Sequence, residues 1–260
     1  FSISTITLLY ITVKKYFSTK TALISTLIFA VSPQFIIFGN TPLYQNFLPL
    51  FIIMSLYYFL KDEDDFHIRF LLGLTVGLGI ELHLLNVSLA MAFLFYYLLF
   101  VKRKLKLISA YLIGIVVGLG PTLLFELRHQ FLNTKLFLAY QSQPHSPVSL
   151  SNILTQWVNG AAIFLGGNSA AIGIIILFIM IPLLFIKKIG SNAYKKLRIL
   201  TLLTIAITAI LSLKFTAFEP HYILPVWIMF LIILPIIIGK TFSKTTAHAI
   251  LGLLIAFNLY

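Results

Sequence analysis

The stretch 107–127, LISAYLIGIVVGLGPTLLFEL, decides the fold class. Its only ionisable side chain apart from a tyrosine is Glu126, next to its end. A hydrocarbon core about 30 Å thick is crossed by a helix of roughly 20 apolar residues. The stretch therefore reads as a transmembrane helix. Moved outward along the chain, the same window predicts segments at 1–13, 21–39, 46–60, 68–82, 84–101, 169–186, 198–213, 221–239 and 246–260, about ten in all. Glu81, His83 and Asn86 interrupt the run 68–101, which reads as two short helices meeting at a polar turn.

Composition supports this reading. Of 260 residues, 60% are hydrophobic and only 10% charged, and the mean hydropathy is +1.01. Soluble domains carry about 25% charged residues, and so few charges cannot cover a globular surface. A soluble enzyme, a disordered chain and a free nucleic-acid binder are excluded. The expected fold is all-α: one polytopic transmembrane helical bundle over 1–260. There is no cysteine, hence no disulfide, thiolate chemistry or sulfur-ligated metal. Both ends fall inside apolar runs, so the chain reads as a fragment of a longer protein.

The formal charge of +12 becomes informative when sorted by loop. Alternate connections hold Lys14, Lys15 and Lys20; Lys61 and Arg69; Lys102, Arg103, Lys104 and Lys106; Lys187, Lys188, Lys195, Lys196 and Arg198; and Lys240 and Lys244. These are sixteen of the nineteen basic residues, and the other face keeps Arg128, Lys135 and Lys214. Basic excess in short loops marks the cytoplasmic side. The connection 128–168 is thus expected to be external. Within it, 149–159 (SLSNILTQWVN) has apolar residues at the spacing of an amphipathic interfacial helix. Tyr222 and Trp227 read as interface anchors. The acids sort in the same way. Asp62, Glu63, Asp64 and Asp65 form a cytoplasmic run, whereas Glu81, Glu126 and Glu219 stand at external helix ends with His83, His129, His145 and His221.

Function is expected on that external side. In Glu126-Leu-Arg128-His129, the Glu and His share a helix face, and the guanidinium suits a phosphate. The plain structural alternative is a snorkelling Arg and a His satisfied by a last-turn carbonyl. Glu81-Leu-His83 ends one segment, and Glu219-Pro220-His221-Tyr222 opens another, where helix capping explains much of the pattern. Tyr44, Gln45 and Asn46 offer hydrogen bonds to sugar hydroxyls or phosphate oxygens, although their neighbours are also ordinary turn formers. The three Glu/His pairs admit a divalent metal as a second reading. No nucleotide-binding or serine-hydrolase motif is present.

Three stretches carry a family resemblance: 22–46 (ALISTLIFAVSPQFIIFGNTPLYQN), 73–88 (GLTVGLGIELHLLNVS) and 114–131 (GIVVGLGPTLLFELRHQF), with 221–231 (HYILPVWIMFL) in support. Together they resemble the bacterial membrane glycosyltransferases of the GT-C fold, family 39 and RgtA/B/C/D-like, related to protein mannosyltransferases and the aminoarabinose transferase. The resemblance implies a GT-C-like enzyme of a prokaryotic plasma membrane. It would move a hexosyl or pentosyl group from a polyprenyl-phosphate donor to a lipid, glycan or protein acceptor at the external face. No cofactor is firmly implied, and no nucleic acid is expected as a partner. The family's catalytic carboxylate lies in the first external loop, expected upstream of this fragment. Its second polar loop often carries Arg and Asp, where this chain has Asn-Thr-Pro-Leu-Tyr-Gln-Asn. Arg128, His129 and His221 are expected at the donor phosphate. Tyr44, Gln45, Asn46, Glu81, His83, Glu126, Glu219 and Tyr222 are expected around the substrates. Other classes stay open: a lipid-linked saccharide flippase or transporter, or a noncatalytic scaffold. Ionisable groups gathered at one interface rather than at the midplane favour the enzyme.

Overall fold

The computed structural model describes residues 2–41, 43–61, 65–101, 104–142, 149–167, 169–185, 191–213 and 219–259, the side chains of Gln45, Leu85, Lys104, Gln141, Met180 and Leu183 excepted. Fourteen α-helices and no strand occupy them. They are α1 (Ser2–Tyr16), α2 (Thr19–Val31), α3 (Pro33–Asn40), α4 (Leu48–Leu60), α5 (Phe66–Leu82), α6 (Val87–Phe100) and α7 (Lys104–Gly118). Then follow α8 (Gly120–Arg128), α9 (Leu132–Ser142), α10 (Leu150–Leu165), α11 (Ala170–Leu183), α12 (Asn192–Ser212), α13 (Leu224–Thr241) and α14 (Lys244–Leu259).

At the centre stands α13. A helix that is apolar all round must be buried, and the side chains from Leu224 to Pro235 are buried without interruption. With the 3-10 turn Pro220–Ile223 that leads into it, it forms a run of 22 residues, Pro220–Thr241, long and apolar enough to cross a membrane. Helices α2, α4, α10, α12 and α14 pack around it.

Against about ten expected segments, one helix among the described residues qualifies alone by length and composition, or up to four if each bent pair is one span. Proline accounts for two of the bends. The expected segment 21–39 breaks by 65° at Ser32, whose extended backbone (ψ 126°) is what a following proline favours. The segment 107–127 breaks by 60° between α7 and α8, where Gly118 and Gly120 flank Leu119 and Pro121 follows. Others are simply short: α4, α6 and α14 have 13, 14 and 16 residues. The run 68–101 is two helices, α5 and α6, with His83 and the 3-10 turn Leu84–Asn86 between them.

Two readings of the 128–168 region and its neighbours change. The connection holds a helix that the periodicity did not announce, α9, before α10. Trp227 is a core residue rather than an interface anchor, at 0% exposure. Its ring lies 5.8 Å from that of Trp157 and against Gly160, where a Cβ would stand 2.6 Å from the indole nitrogen. The absent side chain at Gly160 is what admits so large a ring. His145, Lys102, Arg103, Lys187, Lys188, Lys214 and the acids Asp62, Glu63 and Asp64 lie outside the described residues.

Candidate functional site

The packing of α5 on α7 sets the geometry. The helices run parallel, with Gly73 against Tyr111 and Gly77 against Ile115 and Gly118. A Cβ at Gly77 would stand 2.6 Å from the Ile115 carbonyl, and one at Gly118 would stand 2.7 Å from that of Leu74. Small residues four apart on both helices let the backbones touch. Gly73 and Gly77 precede Gly114 and Gly118 by the same interval of 41 residues that separates Glu81 from Thr122. Four residues beyond the glycines, those two side chains meet. The Glu81 carboxylate accepts the Thr122 backbone N–H at 2.9 Å and its hydroxyl at 2.7 Å. Thr122 is the third residue of α8, so Glu81 satisfies an orphan donor and sets negative charge at the positive end of that helix.

Glu126 repeats the device one helix later. It accepts the N–H groups of Asn133 and Thr134, both at 3.0 Å, and the Thr134 hydroxyl at 2.6 Å. These open α9, and Glu126 is only 5% exposed. The reversal between α8 and α9 needs left-handed backbone at Gln130 (φ 55°) and Phe131 (φ 61°). There the Phe131 N–H reaches back to the Glu126 carbonyl at 2.7 Å, the six-to-one bond of a Schellman helix end.

Next to it, His129 follows the plain structural alternative. Its Nδ1 lies 2.9 Å from the Phe125 carbonyl, and its ring stacks on Phe125 at 4.1 Å. Arg128 is exposed and forms no hydrogen bond or ion pair with the described residues.

A second group forms where α5 ends and α13 is about to begin. The ring centroid of His83 lies 5.2 Å from that of His221 and 5.5 Å from that of Tyr222, and the latter two are 4.6 Å apart. Burial disfavours the imidazolium of His83, and nearby His221 adds to the effect, so its pKa falls to about 4. His83 is therefore a neutral imidazole at pH 7, able to accept as well as donate. Glu219 occupies the cap position before Pro220, yet its side chain makes no capping bond. Its carboxylate is the one member of the three expected external acids not engaged by a helix end among the described residues. Tyr222 interacts electrostatically with Glu219 and with Tyr140 of α9.

The structure thus gathers His83, His221, Tyr222 and Glu219, with Glu81 two residues before His83. No hydrogen bond, ion pair or ring contact joins Arg128, His129, Tyr44 or Asn46 to this group. Asn46 is buried and donates from Nδ2 to the Thr41 carbonyl at 2.6 Å, tying its own turn. Tyr44 is 64% exposed, and the Gln45 side chain lies outside the described residues. Two of the three Glu/His pairs meet through His83 and His221, but among the described residues no three of His, Asp or Glu stand where they would hold a metal ion. Sequence reasoning missed Thr122, Thr134 and Tyr140. For Thr122 a signal existed in the shared four-residue rhythm of the glycines.

A helical bundle packed around an apolar helix long enough to cross a membrane points to a membrane protein. Residues 1–124 match the model of the dolichyl-phosphate-mannose-protein mannosyltransferase family, a GT-C-type family of glycosyltransferases, and over that stretch the chain is similar to it. The matched stretch contains Glu81, His83 and Thr122 and stops before Glu126, Arg128 and His221. No curated protein and no solved structure matches the chain.

Proposed function

We propose that the chain is part of a polytopic membrane glycosyltransferase of about ten membrane segments, in a prokaryotic plasma membrane. It moves a sugar from a polyprenyl-phosphate donor to a lipid, glycan or protein acceptor at the external face. The observation that carries this reading is the family match over residues 1–124.

Inverting transfer needs a group to take the acceptor proton and positive charge for the departing lipid phosphate. Arg128, exposed and without a protein partner among the described residues, holds the phosphate, assisted by His129 or His221. Glu219 and Tyr222, with neutral His83 beside them, bind sugar hydroxyls, as do Tyr44 and Gln45 at the first polar turn, which the buried Asn46 holds in shape through its bond to the Thr41 carbonyl. Glu81 and Glu126 position the site by fixing the starts of α8 and α9, between which Arg128 and His129 sit. An apolar groove of about 570 Å3, lined by Leu154, Trp157, Leu177, Phe178 and Ile205, suits a prenyl chain.

Transfer from a polyprenyl-phosphate sugar, assayed with the full-length protein and its Arg128→Ala variant, tests the reading. Loss of transfer with intact expression is expected. Near-normal turnover would overturn the role of Arg128.

A further inference from the structure

Where α13 ends, α2 begins and α14 passes, the bundle leaves a cavity of about 220 Å3. Helix α13 runs away from His221, and Lys240 stands about 24 Å along it from Leu224 at 1.5 Å per residue. The lining is sorted by polarity. On α13, Pro235 and Ile236 come before Gly239 and Lys240; on α2, which starts here, Lys20 and Thr21 come before Ile24. Both helices thus put their polar members at the end of the bundle. Their apolar members lie a turn further in, where Leu251 of α14 joins them.

The run that α13 completes is long enough to cross a membrane. Its end therefore stands at headgroup depth, with the inner part of the cavity among the first methylenes of the chains. Lys20 and Lys240 are both exposed. Lys20 Nζ lies 2.7 Å from Nε2 of His248. An ammonium can only donate, so the imidazole accepts, and the bond holds the lysine in place without cancelling its charge. Lys240 forms no hydrogen bond or ion pair with the described residues, and no described carboxylate lines the cavity. The dipole of α13 accounts for a cation at Lys240, but not for the space beside it. A Cβ at Gly239 would meet nothing within 4 Å. Protein packing therefore does not require this glycine, which weakens a helix relative to alanine.

We infer that this cavity seats an anionic phospholipid, at a site separate from the sugar-transfer region at the other end of the bundle. Its phosphate lies between Lys20 and Lys240, and the start of one acyl chain lies against Ile24, Ile236 and Leu251. The volume decides between a lipid and a free anion. It is below the roughly 300–1,000 Å3 of a site that encloses a whole small molecule, so it suits part of a larger one. Its inner part is apolar, which a free phosphate cannot use. A lipid leaves its remaining chain outside, in the bilayer.

Native mass spectrometry of the full chain in neutral detergent, with phosphatidylglycerol and phosphatidylcholine supplied equally, tests this. Selective retention of phosphatidylglycerol is expected. Lys20→Gln/Lys240→Gln should weaken it about tenfold or more, the loss of one charge-assisted hydrogen bond. Gly239→Leu keeps every charge, fills the space and should weaken retention by a similar factor. Two controls should each change it less than about twofold. Lys14→Gln/Lys195→Gln removes equal charge from the same end of the bundle, and Gly252→Leu adds the same bulk at another open position of a helix. Unchanged thermal unfolding verifies the folds, and the charge and bulk variants test the site independently should one of them misfold. No preference for phosphatidylglycerol, an equal loss in the controls, or undiminished retention by a folded Gly239→Leu overturns the inference. So does saturable binding of inorganic phosphate by calorimetry, which would assign a free anion instead.

Discussion

Glu81 caps α8 through Thr122, 41 residues away, with both carboxylate oxygens engaged. Because the same interval relates the glycine pairs on α5 and α7, this cap is the last contact of a helix–helix interface. Glu81→Ala should lower stability by about 1 kcal/mol, the usual loss for a removed N-cap acceptor, and Glu81→Gln by less. Faster amide exchange confined to the first turn of α8 would check the mechanism. Protection unchanged at Thr122 in the Ala variant would disprove it.

The interface itself is far less forgiving. Gly77 and Gly118 face backbone atoms rather than flexible side-chain ends, so a larger residue must push the helices apart. Gly77→Val and Gly118→Val should each abolish the monodisperse folded species in detergent. Gly252→Val, at a position with open space around its Cα, should be tolerated. Equal yields of all three on size-exclusion chromatography would argue against the packing.

Backbone strain at the end of α8 gives a prediction of opposite sign. Gln130 holds φ 55° at the position where helices usually place glycine. Gln130→Gly relieves a left-handed conformation that costs an L-residue roughly 1 kcal/mol, and the side chain it removes is exposed. The melting temperature should rise, and a fall would mean that this turn is not left-handed in the protein.

How much of this was legible in the sequence follows physical lines. Apolar runs announced the helices because burial and span length act on many residues at once. The proline breaks at Ser32 and Leu119 were written there too, yet their consequence, bent pairs in place of straight segments, depends on angles that no hydropathy window contains. Trp227 read as an anchor because its indole has a polar edge; only the cavity left by Gly160 on another helix makes it core. Glu81 and Glu126 stand out in the sequence as costly charges near a membrane. Their partners are backbone N–H groups of later helices, which any sequence supplies equally, so a capping role could not be told from a substrate role. The His83–His221 contact joins residues 138 positions apart in the chain, and periodicity carries no information at that distance.

That contact has a pH signature. In the unfolded chain His83 titrates near 6.5, whereas in the fold its pKa is about 4. Between those values the unfolded state binds more protons, so stability from this group falls as pH drops from about 6.5 toward 4 and is level outside that window. The melting temperature in detergent should decline over the interval, and His83→Phe should flatten part of the decline. Carbon-labelled imidazole NMR offers the direct check: the His83 resonance should remain that of a neutral ring at pH 5.5. A His83 signal that titrates near 6.5, the ordinary imidazole value, would mean that the ring is solvated, and the packed histidine pair would have to be abandoned.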